Sequence, residues 1–346
     1  MAKDVVILGA GASAAAGAPL QGKIFNDYFV SCAPKTNSQT QMKRRLEAYF
    51  RTFFGIRFGN LDLRNTTFPT FEEALGVLEI ALDRNESFAG FGTSLSKPMI
   101  QMARDDLIFL IALTLKQKLE YAPNYHGMLL DRLERDSGLL NTSFISLNYD
   151  ILLDNAIAEL HPTYDLDYGV EFVNFYNDDD WQRPTKAKSI MLHKLHGSLN
   201  WLYCKTCISL ELTPKEKRVA IMVDVPQNCK TCGSEMTPII IPPTFFKIMS
   251  NFFLQQIWRE TESTLKTAER LFFCGYSFPD ADLHVKYLLK RVEINTGSTP
   301  EIFIINGVKG REEMDVEIFK FRRFFKRARN ITYTHMSFQD FCQFGL

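Results

Sequence analysis

Asp4-Val5-Val6-Ile7-Leu8-Gly9-Ala10-Gly11-Ala12-Ser13, followed by Ala14-Ala15-Ala16, is the stretch that decides the fold. Its four apolar residues read as a short buried strand, the two glycines as a tight turn, and the alanines as a helix start. The same grammar recurs down the chain. Thr142 to Leu147 reads as a strand closed by Asn148-Tyr149-Asp150 and followed by a helix over 151–160. Ile190 to Leu195 is strand-like and ends in His196-Gly197-Ser198. Arg270 to Cys274 ends in Gly275-Tyr276-Ser277 ahead of a helix over 283–292, and Glu301 to Ile305 ends in Asn306-Gly307. Strands that alternate with helices in this way predict an α/β fold, a parallel sheet with helices on both faces. Ser13, Asn148, Asp150, His196, Ser277 and Asn306 all follow strand ends. Open α/β sheets bind ligands there, so one crevice is expected to collect all six.

Between the first two strands, residues 23–140 read as mainly helical. Thr70-Phe71-Glu72-Glu73 has capping-box spacing before Ala74-Leu75. Leu107, Leu110, Ile111 and Leu115 recur at helical spacing, while 88–97 reads as a glycine-bearing loop. A polar stretch from His161 to Lys188, with Asp178-Asp179-Asp180 inside it, also reads as loop. Lys320 to Arg329 interleaves six basic residues with Phe321, Phe324 and Phe325. It reads as an amphipathic helix with its Phe face on the sheet and Arg322, Lys326 and Arg329 outward.

Composition narrows the function classes. The 346 residues suit one large domain with a sub-domain, or two modest ones, and 46% hydrophobic with 23% charged excludes a mainly disordered or fibrous chain. Forty Lys+Arg balance forty Asp+Glu, which argues against nucleic acid or an anionic membrane recognised through bulk charge. The longest apolar run, 107–115 with Thr114 inside it, is far short of the ~20 residues of a membrane span. Val5 to Leu8 is shorter than the roughly 7–15 residues of a signal-peptide core. A cytoplasmic protein is expected, and its seven cysteines need an explanation other than disulfides.

Cys204-Lys205-Thr206-Cys207 and Cys229-Lys230-Thr231-Cys232 supply that explanation. Each C-x-x-C knuckle offers two thiolates on a tight turn, and two knuckles make the tetrahedral set of a closed, structural Zn²⁺ site. Cys32, Cys274 and Cys342 read as ordinary thiols. Gly9-Ala10-Gly11 either brings backbone N–H groups and a helix N-terminus to a pyrophosphate or is simply a tight turn. Ala14 stands where the full G-x-G-x-x-G fingerprint has its last glycine. His196 is either a general base in the crevice or a packed strand-end residue. His193 points to the other face of its strand and reads as structural, as does His126 near a helix start.

Taken in order, these motifs resemble the sirtuin family, the NAD-dependent enzymes of silent-information-regulator type. Gly9-Ala10-Gly11-Ala12-Ser13 with Gly17-Ala18-Pro19 is similar to the family's GAGxS…GxP opening. Asn148-Tyr149-Asp150 is similar to its Asn-x-Asp motif, His196-Gly197 to its catalytic His-Gly, and the paired knuckles to its zinc ribbon. Gly275-Tyr276-Ser277 resembles its G-x-S turn, and Asn306 its late strand-end Asn. The departures lie on the peptide side. Leu20-Gln21-Gly22 replaces the Asp-Phe-Arg of deacylases, Leu147 replaces a Gln, and Pro242-Pro243-Thr244-Phe245-Phe246 replaces the acyl-lysine-binding Phe-Gly-Glu segment. Val308 stands where an acidic residue often grips the adenosine ribose. A cofactor side largely kept and a peptide side largely replaced resembles the sirtuin-like NAD hydrolases of prokaryotic antiviral defence.

The resemblance implies a single domain with a Rossmann-like NAD-binding core (1–22, 140–200 and 238–346), a helical insertion (23–139) and a zinc-ribbon module (201–237). It implies an NAD⁺ glycohydrolase releasing nicotinamide and ADP-ribose, with His196, Asn148 and Asp150 catalytic. Gly9, Ala10, Gly11, Ser13, Pro19, Asn148, Asp150, Gly275, Ser277 and Asn306 would bind NAD⁺, and Cys204, Cys207, Cys229 and Cys232 structural Zn²⁺. A protein deacylase, an ADP-ribosyltransferase and a non-catalytic NAD or ADP-ribose sensor are the alternatives. Unchecked hydrolysis would empty a cell of NAD⁺, so a homo-oligomer is expected. A separate partner, such as a HerA-like DNA-translocating ATPase or a short Argonaute, is named by resemblance alone. Neither a membrane nor direct nucleic-acid contact is expected.

Overall fold

The computed structural model describes residues 3–59, 63–91, 93–95, 97–176, 183–185, 187–213, 222–240, 251–280, 282–307, 309–328 and 330–346. The sequence readings at 178–180, 242–246, Val308 and Arg329 lie outside the described residues. Strand β1 (Asp4–Leu8) runs into α1 (Ala10–Ala15), then α2 (Ile24–Ser31), α3 (Asn37–Phe54) and α4 (Phe71–Arg84). A hairpin, β2 (Phe88–Phe91) and β3 (Thr93–Leu95), precedes α5 (Lys97–Lys118) and α6 (Tyr125–Arg135). Next come β4 (Thr142–Ser146), α7 (Leu152–Ala158), β5 (Asp165–Asp167), β6 (Ser189–Lys194), β7 (Gly197–Cys204), β8 (Ser209–Leu212) and β9 (Thr237–Ile240). The chain closes with α8 (Phe252–Lys266), β10 (Arg270–Cys274), α9 (Leu283–Thr296), β11 (Glu301–Ile305), α10 (Arg311–Phe324), β12 (Ile331–Tyr333) and α11 (Phe338–Phe344).

Seven strands form one sheet in the order β12-β11-β10-β1-β4-β6-β5. Every neighbouring pair is parallel. Helices cover both faces, as two adjacent residues of β10 demonstrate. Phe272 packs on Phe341 of α11, and Phe273 on Phe321 of α10. Successive strand residues point to opposite faces, so α11 and α10 lie on opposite sides. Registered with Phe273 through β1 and β4 is His193, which bonds Thr264 of α8, so α8 shares the face of α10. The double cover explains why Val5 to Leu8 can all be apolar, each 2% exposed or less.

The helices between β1 and β4 build a second core. Thr70 and Glu73 form the expected capping box at the start of α4. Leu107, Leu110, Ile111 and Leu115 of α5 are buried in this core with α2, α3 and α4. Leu199, Leu202, Cys204, Cys229 and Ile240 join it, so the helical block packs on the cysteine-bearing β8-β7-β9 sheet. In contrast, α6 packs its Leu129 and Leu130 into the main sheet's core. Among the described residues, no helix is long and apolar enough to cross a membrane.

Three local readings are corrected. The 88–97 loop holds the β2–β3 hairpin, and the 161–188 loop contributes β5 at the sheet edge. All three strands are too short to show an alternating pattern, and cross-strand pairing alone defines them. The basic run at 320–329 straddles a helix end rather than forming a helix. Helix α10 begins at Arg311, stops at Phe324, and buries Phe321 and Phe325 on either side of its end.

Candidate active site

Strands β4, β6 and β5 extend the sheet from one side of β1, and β10, β11 and β12 from the other. The strand order therefore reverses at β1–β10, and the loops after these two strands face each other across the switch point. They touch so closely that only glycine fits. A Cβ on Gly275 would lie 2.1 Å from the Ala12 nitrogen, one on Gly9 2.6 Å from the Gly275 oxygen, and Gly275 has φ of +63°. The Gly9 and Gly11 N–H groups donate to the carbonyls of Cys274 and Gly275, at 2.9 and 2.8 Å. Part of the donor set expected for a pyrophosphate thus joins the two loops instead.

A cavity of about 350 Å³ opens at this point. Gly9, Ala10, Ser13, Pro19, Asn148, Asp150, His196, Gly275 and Ser277 line it, as expected from the sequence. Two expected residues stand elsewhere. Gly11 packs against Gly275, and Asn306 lies behind the β10 loop, donating to the Tyr276 carbonyl at 3.1 Å and to Glu317 at 3.2 Å. Of the six strand-end polar residues, the crevice therefore collects all but Asn306. The opposite wall is apolar: Leu20 lies there with Ile24, Phe71, Ile111 and Leu115 of the helical block.

Asp150, Ser13 and Asn148 form one hydrogen-bonded group. The Ser13 hydroxyl donates to Asp150 Oδ2 at 2.5 Å, and Asn148 Nδ2 donates to Ser13 Oγ and the Gly9 carbonyl, both at 2.8 Å. The Leu152 amide donates to Asp150 Oδ1 at 3.1 Å. Asn148 thus spends its amino group on the protein, and its other side-chain polar atom, Oδ1, can only accept. Burial pushes the Asp150 carboxyl up, but the charges of Lys194 and His126 with the Ser13 and Leu152 hydrogen bonds outweigh it and hold the carboxyl below its usual range. Beneath it, the fully buried Lys194 donates to the Asp150 carbonyl and pairs with Asp154 at 3.1 Å. Tyr168 donates to Asp154 at 2.6 Å.

His196 sits on the sharp turn between β6 and β7. Gly197 makes that turn with φ of +79°, where a Cβ would meet the Ile239 carbonyl at 2.2 Å. His196 Nδ1 lies 3.0 Å from the Leu147 carbonyl, which can only accept, so Nδ1 carries the hydrogen and Nε2 the lone pair. Nε2 is 3.8 Å from Asp282 Oδ1. By contrast, His193 is buried against Thr264, and burial lowers its pKa to about 4. His126 is buried beside Phe338, and burial lowers its pKa as well. Neither lines the crevice.

The four cysteine sulfurs Cys204, Cys207, Cys229 and Cys232 lie within 4.8 Å of one another. Cys204–Cys232 and Cys207–Cys229 are 3.5 and 3.9 Å apart. A tetrahedral Zn²⁺ with bonds of about 2.3 Å needs sulfur–sulfur edges of about 3.8 Å, so the cluster fits the ion and would supply all its ligands. Cys32, Cys274 and Cys342 are buried free thiols.

Residues 142–333, more than half of the chain, match the family model described as the SIR2-like domain. The chain belongs to the SIR2-like family. It is similar to a solved structure described as "Structural Basis for the Mechanism and Regulation of Sir2 Enzymes". The identity is 15% over 98% of this chain and 89% of that one, with a TM-score of 0.40. No match is found among curated proteins.

The SIR2-like match begins at β4, so Gly9 and Ser13 lie outside it. Parallel pairing of β1 with β4 and β10 brings them into the crevice. Sequence reading missed Tyr149, Tyr276 and Asp282, which also line the crevice of this SIR2-like chain. Tyr149 and Tyr276 flank residues already singled out, and proximity to a strand end was the available signal. Asp282 is a full loop beyond β10 and carried none.

Proposed function

We propose that this SIR2-like chain hydrolyses the nicotinamide–ribose bond of NAD⁺, giving nicotinamide and ADP-ribose, as an NAD-depleting effector of antiviral defence. The convergence of Ser13, Asn148, Asp150, His196 and Ser277 in one crevice at the switch point carries the reading. Nicotinamide leaves with the electron pair of the broken C–N bond, and positive charge develops on the ribose. The ionised Asp150, tied by Ser13 and the Leu152 amide, supplies fixed negative charge at that point. Asn148 Oδ1 accepts from the ribose or the incoming water. As water adds to the anomeric carbon, its proton passes to His196 Nε2 and then to solvent. In this reading Gly9, Ala10, Gly11, Pro19, Gly275, Ser277 and Asn306 shape the NAD⁺ site, Gly11 and Asn306 by supporting the two loops from behind.

The division into a core of 1–22, 140–200 and 238–346, an insertion at 23–139 and a module at 201–237 belongs to the same proposal. So does regulation by self-association or by a partner of HerA-like ATPase or short Argonaute type. The test is mass spectrometry of purified protein with NAD⁺, with and without an acetyl-lysine peptide. Equal nicotinamide and ADP-ribose without peptide is expected. Turnover should fall at least ~100-fold in His196→Ala and Asn148→Ala, the scale for losing a positioned acid–base group. Consumption that requires the peptide and yields an acetylated ADP-ribose, or full activity in both folded variants, overturns the reading.

A further inference from the structure

Asp282 is an acidic residue of the crevice that the reaction outlined above leaves unused. It is the N-cap of α9, a position where an aspartate usually accepts from the first-turn N–H groups, yet its side chain makes no such cap. The carboxylate turns into the crevice instead, 5% exposed. Oδ2 accepts from the Tyr276 hydroxyl at 3.1 Å, and Oδ1 stands 3.8 Å from His196 Nε2. Since Nδ1 of that ring is bound to the Leu147 carbonyl, Nε2 is the atom that gains a proton. Once protonated it becomes a donor facing a carboxylate less than an ångström beyond hydrogen-bond reach.

We propose that Asp282 is the positioning residue for His196: its carboxylate stabilises the imidazolium formed when Nε2 accepts a proton and holds the charged ring in place. Tyr276 fixes the carboxylate's direction by donating to Oδ2. The proposal rests on the reading of His196 as the base. The other titratable groups at the crevice include Asp150 and Tyr276, which line it, Tyr149, whose ring is 6.4 Å from that of His196, and Glu72, whose charge, like that of Asp282, acts on Tyr149. Tyr149 and Tyr276 are both held well above their ordinary range, chiefly by burial.

The experiment follows NAD⁺ turnover and the His196 imidazole signal by NMR across pH 4–9, in wild type, Asp282→Asn and Asp282→Glu. His196→Gln assigns the resonance. A neighbouring carboxylate favours the charged ring, so loss of its charge should move the His196 titration and the acid limb of kcat down by about one pH unit. Plateau kcat should fall about tenfold with KM nearly constant, and Asp282→Glu should restore the limb. An unmoved titration in folded Asp282→Asn overturns the proposal, as does a change confined to KM. The NMR titration needs no turnover. If wild type leaves NAD⁺ intact while the titration still shifts, the proposed activity fails and the Asp282–His196 pair stands.

Discussion

Replacing Lys194 with methionine tests the buried support of the crevice. The ammonium is fully buried and pairs with Asp154 at 3.1 Å, with side chains 0% and 2% exposed, and it also donates to the Asp150 carbonyl. Lys194→Met keeps the volume but leaves the Asp154 carboxylate buried without its cation, with the Tyr168 hydroxyl still donating to it. Breaking such a pair from one side costs about 3–5 kcal/mol. An unfolding entropy of roughly 2.1 cal/mol/K per residue gives about 0.7 kcal/mol/K for 346 residues, so Tm should drop about 4–7 °C. The double variant Lys194→Met/Asp154→Asn removes the stranded charge and should recover at least half of the loss. Because Lys194 also helps to hold Asp150 ionised, the gap between wild type and the single variant should narrow as pH falls through the carboxylate range. Differential scanning calorimetry at pH 7 and pH 4 reads all three quantities. A folded Lys194→Met protein melting within 1 °C of wild type refutes the reasoning.

Elemental analysis of protein purified without chelator should find one zinc per chain, and Cys229→Ser should lose it and expose the β8-β7-β9 sheet to protease. Stoichiometric protein without zinc would count against the site. His193 makes stability pH-dependent in a defined direction. Its folded pKa of about 4 lies below the ordinary 6.5, so the unfolded chain binds the extra proton and stability falls as pH drops from 6.5 to 4. The loss amounts to about 3 kcal/mol at full extent, and His193→Gln should flatten that part of the Tm–pH curve. An unchanged slope in the variant would show that His193 does not carry it.

The strands were legible because burial on both faces demands unbroken apolar runs: Val5 to Leu8, Phe144-Ile145 and Leu271 to Cys274 could be little else. The capping box at Thr70 and the two cysteine knuckles were legible because their chemistry depends on spacing within a few residues. Short edge elements such as β5 and the β2–β3 hairpin were not, since three or four residues show no period. The glycines of the first turn were read for a ligand's approach, whereas the closest atoms at Gly9 and Gly11 belong to the β10 loop.

What the sequence determined by itself, then, was which residues stand at strand ends and which sulfurs come in pairs. The tertiary structure decided the order of the strands. Parallel pairing joins segments far apart in the chain, and an apolar run records that it is buried without recording its neighbour. Placing β10 beside β1 is what closes the crevice, binds the two glycine loops to each other, and leaves Asn306 behind them. The same placement brings Asp282 to His196 from the first residue of a helix cap, where the local pattern would have used its carboxylate for the helix alone.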